Sequence, residues 1–113
     1  MKQFKYILSA SMILFAMTVA GQELKTTEHD NGQLAVSQEM LNGVEHGEFL
    51  MYHENGDLKE QGTYQNGKKS GEWKRWNESG TLIAIASFED GKKHGNWKIW
   101  DDEGVLRYDL SYE

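Results

Sequence analysis

GKKSGEWKRWNESG, residues 67–80, returns 24 residues later as GKKHGNWKIWDDEG, residues 91–104. The same template fits NGVEHGEFLMYHENG, residues 42–56, with Phe49 and Tyr52 standing where the later copies have tryptophans. Three copies therefore follow one another without a gap, at 42–65, 66–89 and 90–113. A fixed period of this size marks a repeat architecture, in which each unit buries its apolar surface only against its neighbours.

The template is dense. Each copy opens with Asn-Gly or Asp-Gly and then places a glycine at Gly47, Gly71 and Gly95. An aromatic follows at Phe49, Trp73 and Trp97, and a second at Tyr52, Trp76 and Trp100. Another glycine comes at Gly56, Gly80 and Gly104, a leucine at Leu58, Leu82 and Leu106, and a closing aromatic at Tyr64, Phe88 and Tyr112. A degenerate half-copy at 30–41 matches 54–65 at the turn and the leucine, and it too runs into Asn-Gly.

Runs of six to eight aromatic, β-branched and alternating residues, punctuated by Asn-Gly, Asp-Gly and Ser-Gly, are the pattern of β-hairpins. No proline interrupts them. An amphipathic helix fails because glycines fall in every window, each costing about 1 kcal/mol relative to alanine. Each copy is thus read as one hairpin: in the second copy a strand over 71–77, a turn near Ser79-Gly80 and a strand over 81–89.

Alternation then assigns faces. Trp73 falls with Leu82, Ala84, Ala86 and Phe88, and the same richer face gathers Phe49, Met51, Leu58, Tyr64, Trp97, Ile99, Leu106, Tyr108, Leu110 and Tyr112. The sparser face holds Leu50, Tyr52, Trp76, Ile83, Ile85 and Trp100 among Lys59, Lys74, Lys98, Arg107 and Asp109. TLIAIASF, apolar on both faces, reads as an inner strand, and LRYDLSYE, which alternates, as a terminal strand with one wet face.

Residues 1–21 are chemically different. A short basic start, MKQFK, precedes fifteen uncharged residues, YILSASMILFAMTVA, and small residues at Val19-Ala20-Gly21 offer a cleavage site after Ala20 or Gly21. This is the pattern of a secretory signal peptide, too short for the ~20 apolar residues of a spanning helix. Residues 22–29 are read as a linker and 30–113 as the repeat domain. Without Lys2 and Lys5 the mature chain has ten basic residues against eighteen acidic ones, a net charge of about −8. That surface repels phosphates and anionic headgroups, which argues against nucleic-acid and anionic-membrane binding. Cysteine is absent, so disulfides, thiolate catalysis and zinc–cysteine sites are excluded.

The recurring Gly, Trp or Phe, aromatic, Asn-Gly, Leu and closing aromatic resemble the MORN-repeat family, in particular its short bacterial variant, which includes YwqK-type antitoxin-like proteins. The resemblance covers 42–113 well and 30–41 weakly. It implies an all-β fold, an elongated single-layer antiparallel meander of stacked hairpins, which agrees with the reading of the residues. It also implies a binding or scaffolding role.

Other chemistry is sparse. His46 and His94 share a repeat position that Ser70 fills in the middle copy, which reads as a solvated turn rather than a metal site. Asp101, Asp102 and Glu103 lack the alternating oxygen ligands of a calcium loop. The pairs Lys68-Lys69 and Lys92-Lys93 read as solubilising the inter-repeat turns. No nucleophile elbow, phosphate loop or zinc-protease pattern occurs, so catalytic residues, cofactors and metals are expected to be none. The reading is an exported, periplasmic or extracellular, non-enzymatic module for an unidentified protein partner. Its candidate contact residues are Tyr52, Lys74, Trp76, Lys98 and Trp100. The alternative is an envelope carbohydrate or choline binder that uses the repeated aromatics, with a saccharide as its partner.

Overall fold

The computed structural model describes residues 20–113. The leader expected over 1–21 lies outside them except for Ala20 and Gly21. The described chain is all-β, without helix, and forms one open antiparallel meander measuring 42 × 31 × 18 Å. Its strands are β1 (Gln22–Glu28), β2 (Leu34–Leu41), β3 (Val44–Tyr52), β4 (Leu58–Gln65), β5 (Lys68–Trp76), β6 (Leu82–Glu89), β7 (Lys92–Lys93), β8 (Gly95–Trp100) and β9 (Leu106–Tyr112). They lie side by side in chain order, with the short β7 pairing β6 just ahead of β8. TLIAIASF thus lies inside the sheet and LRYDLSYE at its end, as alternation indicated.

Two kinds of turn alternate, and each follows from its residues. Asn42-Gly43, Asn66-Gly67 and Asp90-Gly91 are two-residue loops in which both residues have positive φ, 51° to 54° and then 81° or 82°. That is the requirement of a type I′ hairpin turn, whose twist matches the strands it joins. The other turn is longer. In it the His53 N–H donates to the Asp57 carbonyl and the Gly56 N–H to the His53 carbonyl, and the same pair of bonds recurs from His29, Asn77 and Asp101.

Three expectations need correction. Residues 22–28, expected as a linker, form β1 and pair with β2 from Gln22–Leu41 to Glu28–Leu34, so 30–41 belongs to a full hairpin rather than a half-repeat. The turn bonds from His29 close that hairpin although Lys25 and Glu28 stand where later copies have aromatics. The first strand of the middle copy begins at Lys68, directly after the I′ turn, and not at residue 71.

The third correction concerns the faces. Trp73 pairs with Ala86, Lys74 with Ile85 and Arg75 with Ala84, but Trp76 pairs with Leu82, leaving Ile83 as the extra residue of a β-bulge. The same irregularity puts Leu58 opposite Tyr52 and Leu106 opposite Trp100. Directly opposed residues share a face, so all three leucines lie with the second aromatics and not with Trp73. A second irregularity recurs in β3 and β5, where the register shifts across Gly47 and Gly71 (φ 119° and 72°); at Gly95 (φ 72°) the interruption divides β7 from β8.

Burial is shallow because a single layer covers itself with its own side chains. Met40 and Trp73 are the only buried hydrophobics among the described residues, joined by Gln38 and His53. β9, expected to have one wet face, is exposed along its whole length up to Tyr112.

Candidate functional site

The face of Trp73 carries a continuous ladder of rings. Centroid distances run 5.3 Å from Phe49 to Trp73, 5.2 Å from Tyr64 to Trp73, 6.4 Å from Trp73 to Phe88, 5.1 Å from Phe88 to Trp97 and 5.5 Å from Trp97 to Tyr112. Most are edge-to-face, the arrangement that the ring quadrupole favours. The indole N–H groups are occupied too, that of Trp73 donating to the Thr63 carbonyl at 3.2 Å and that of Trp97 to the Ser87 carbonyl at 2.8 Å. Gly62 lies directly under the Trp73 ring, which occupies the place that a Cβ there would take.

Lys69 Nζ sits 4.5 Å from the Trp73 ring centre and 5.0 Å from that of Phe88; Lys93 Nζ sits 5.0 Å from Trp97 and 5.2 Å from Tyr112. The second lysine of each pair therefore roofs the ladder as a cation over π faces, a role that reading the pairs as solubilising missed. Alternation could have found it, because Lys69 is directly opposite Tyr64 and Lys93 opposite Phe88. In the first copy Glu45 replaces the lysine, and Tyr64 is held above the usual phenol range by burial first, then by Glu45 and Glu60.

The opposite face brings together the predicted contact residues. Tyr52, Trp76 and Trp100 recur on β3, β5 and β8, each directly facing a leucine, and all three are partly exposed. Among the described residues every ring–ring contact belongs to the ladder, and none involves these three. Burial, followed by the Glu48 charge, raises the Tyr52 phenol pKa, keeping it a neutral donor. Lys74 lies 3.6 Å from Glu72 and lines a shallow polar hollow with Glu48, Gln61 and Glu72, while Lys98 lies directly opposite Asp109. The lysines beside the aromatic strip are thus balanced by acids.

The candidate histidines and Asp101 are engaged in the fold. His46 is in β3 rather than in a turn, and its Nδ1 accepts the Asn66 N–H at 3.3 Å. His94 Nδ1 is 3.3 Å from Glu89. Asp101 accepts the N–H groups of Glu103 and Val105 and binds Arg107 at 2.8 Å; those hydrogen bonds, chiefly the one from Val105, hold its carboxyl below the usual range. Among the described residues no cluster of three His, Asp or Glu could hold a metal ion. His29 and His53 have a structural role that their sequence positions concealed. Their Nε2 atoms bond the carbonyls of Tyr52 and Trp76, at 2.8 and 2.9 Å, in the following repeat.

A family model described as a MORN repeat variant matches residues 45–66, 69–90 and 93–113, more than half of the chain. Comparison with curated proteins and with solved structures gave no match.

Proposed function

The chain belongs to the MORN repeat variant family, and from that membership we propose that it is an exported, non-enzymatic module that docks an apolar or aromatic protein segment on its Tyr52–Trp76–Trp100 strip. Repeats of this family are generally interaction modules without catalytic machinery. The observation that carries the reading is the division of the aromatics between the faces: one set is spent on the ladder, and the other is partly exposed with no ring partner among the described residues. Partly exposed tryptophans in a row are the residue type that dominates binding energy at protein interfaces. Acids balancing Lys74 and Lys98 favour an apolar segment over an acidic one.

Export rests on the basic start, apolar run and small residues of the first 21 positions. The Asn42 N–H donates to the Gly21 carbonyl at 2.8 Å, so processing after Ala20 keeps an acceptor that processing after Gly21 removes. Expressed with a secretion apparatus, the protein should lose about 2 kDa and begin at Gly21. Intact mass and N-terminal sequencing read both, and a product that retains Met1 in the membrane overturns export.

The docking reading is tested by cross-linking capture from envelope extract with the wild type and with Trp76→Ala combined with Trp100→Ala, beside a glycan array. A partner that the wild type captures and the double variant loses, at an unchanged melting temperature, supports it. Equal capture overturns it. A saccharide signal that disappears with the same two substitutions replaces it by the carbohydrate-binding reading.

A further inference from the structure

The two ends of the sheet are unlike. β1 displays Glu23, Lys25 and Glu28 along its strand, the charged character that discourages edge-to-edge pairing. At the other end lie five of the six exposed large hydrophobics of the described residues: Ile99, Val105, Leu106, Tyr108 and Leu110, the last two 58% and 39% exposed. Among the described residues no strand pairs the outer edge of β9.

The sequence of β9 is complementary to itself. Around Leu110 it reads Arg107-Tyr108-Asp109-Leu110-Ser111-Tyr112-Glu113. We infer that two copies of this chain pair antiparallel through β9 with the two-fold axis at Leu110, joining both sheets into one. In that register Leu110 meets Leu110 of the second copy, Tyr108 meets Tyr112 and Asp109 meets Ser111, while Arg107, the extra residue of the bulge and bound to Asp101, lies beyond the regular pairing. Tyr108, Leu110 and Tyr112 share the ladder face, since Tyr108 faces Ile99, Leu110 faces Trp97 and Tyr112 faces Gly95. The aromatic ladder therefore continues across the axis. Antiparallel edges can meet only with both residues of a pair directed outward, which limits the choice to registers centred on a residue of β9. Centring on Arg107 opposes two arginines, on Asp109 two aspartates, and on Ser111 it sets Asp109 against Glu113. Centring on Tyr108 sets Leu110 against Leu106, which the bulge has turned to the other face. Centring on Tyr112 opposes no like charges but pairs only Ser111 to Glu113, whereas the Leu110 register opposes none over Tyr108 to Tyr112, the regular part of the strand.

The axis residue permits a direct test. By sedimentation equilibrium over a range of concentrations, the wild type is expected to have twice the mass of one chain. Leu110→Lys and Leu110→Glu each place like charges on the axis and are expected to be monomers, and an equal mixture of the two to recover the doubled mass. A wild type of single mass at every concentration, a Leu110→Lys variant that stays doubled, or a mixture that stays single overturns the inference. Because the chain has no cysteine, Leu110→Cys gives an independent reading that needs no charged variant to fold. Mild oxidation should link it to itself, whereas Asp102→Cys in the adjacent turn should remain unlinked. Equal linking of both variants overturns the register.

Discussion

Trp73 and Trp97 have the same place in the template, the same indole bond to a carbonyl ten residues back and a lysine overhead, yet Trp73 is 4% exposed and Trp97 only half-buried. The difference lies in their neighbours. Trp73 has rings from the preceding repeat, Phe49 and Tyr64, on one side and Phe88 on the other, and it lies on the bare backbone of Gly62. Trp97 has Phe88 and Tyr112, and no following repeat among the described residues. In a one-dimensional stack, burial is a property of position in the array more than of the residue.

The largest expected effect follows directly. Trp73→Ala should cost about 3–5 kcal/mol and Trp97→Ala about 1–2, because less area is removed from water at the latter. Denaturant unfolding of both variants checks this, and equal losses would break the comparison. Next comes Gly62→Ala, whose methyl group must displace the Trp73 ring at a cost of about 1–3 kcal/mol. In a Trp73→Ala background the same substitution should cost almost nothing, and that non-additivity is the sharper measurement.

A smaller loss belongs to the I′ turn. Asn66 has φ 53°, so Asn66→Ala should cost about 1–2 kcal/mol of left-handed strain while Asn66→Gly is nearly neutral, read as a difference in melting temperature. The smallest effects come from titration. The folded state lowers the Asp101 pKa, so its contribution is present above the ordinary carboxylate range and fades as pH falls through the depressed value; Asp101→Asn should flatten the acid limb of a stability–pH curve. Tyr64 is shifted upward, so its neutral form contributes fully below pH 10.0, the ordinary phenol value, and that contribution is lost as pH rises toward the raised one. Tyr64→Phe should flatten the alkaline limb.

Hairpins, turns and the ladder face were legible because Asn-Gly, glycine and aromatic positions recur at a fixed period, and each has a local physical cause. The leucines were misplaced for an equally specific reason. Alternation assumes one residue against one, and the extra residue at Ile83 reverses the parity for Leu82 without any mark in the sequence, since Thr81-Leu82-Ile83 is an ordinary strand sequence. β1 was illegible because Lys25 and Glu28 replace the aromatics, and its pairing is held by backbone bonds to β2 and the His29 turn. Of the candidate strip, alternation placed Tyr52, Trp76 and Trp100 on one face with Lys74, Lys98 and Asp109, but it did not pair Lys74 with Glu72, which lies two residues before it on the same strand.

The histidines at His29 and His53 bond carbonyl oxygens of the next hairpin, and Asn31 and Asn55 reach the Glu54 and Glu78 carbonyls in the same way. Every residue type carries such a carbonyl. The fastening between units is therefore indifferent to what the next unit's side chains are, so gene duplication can lengthen this protein one period at a time, and each new copy is free to drift toward a different ligand while the join to its predecessor is kept.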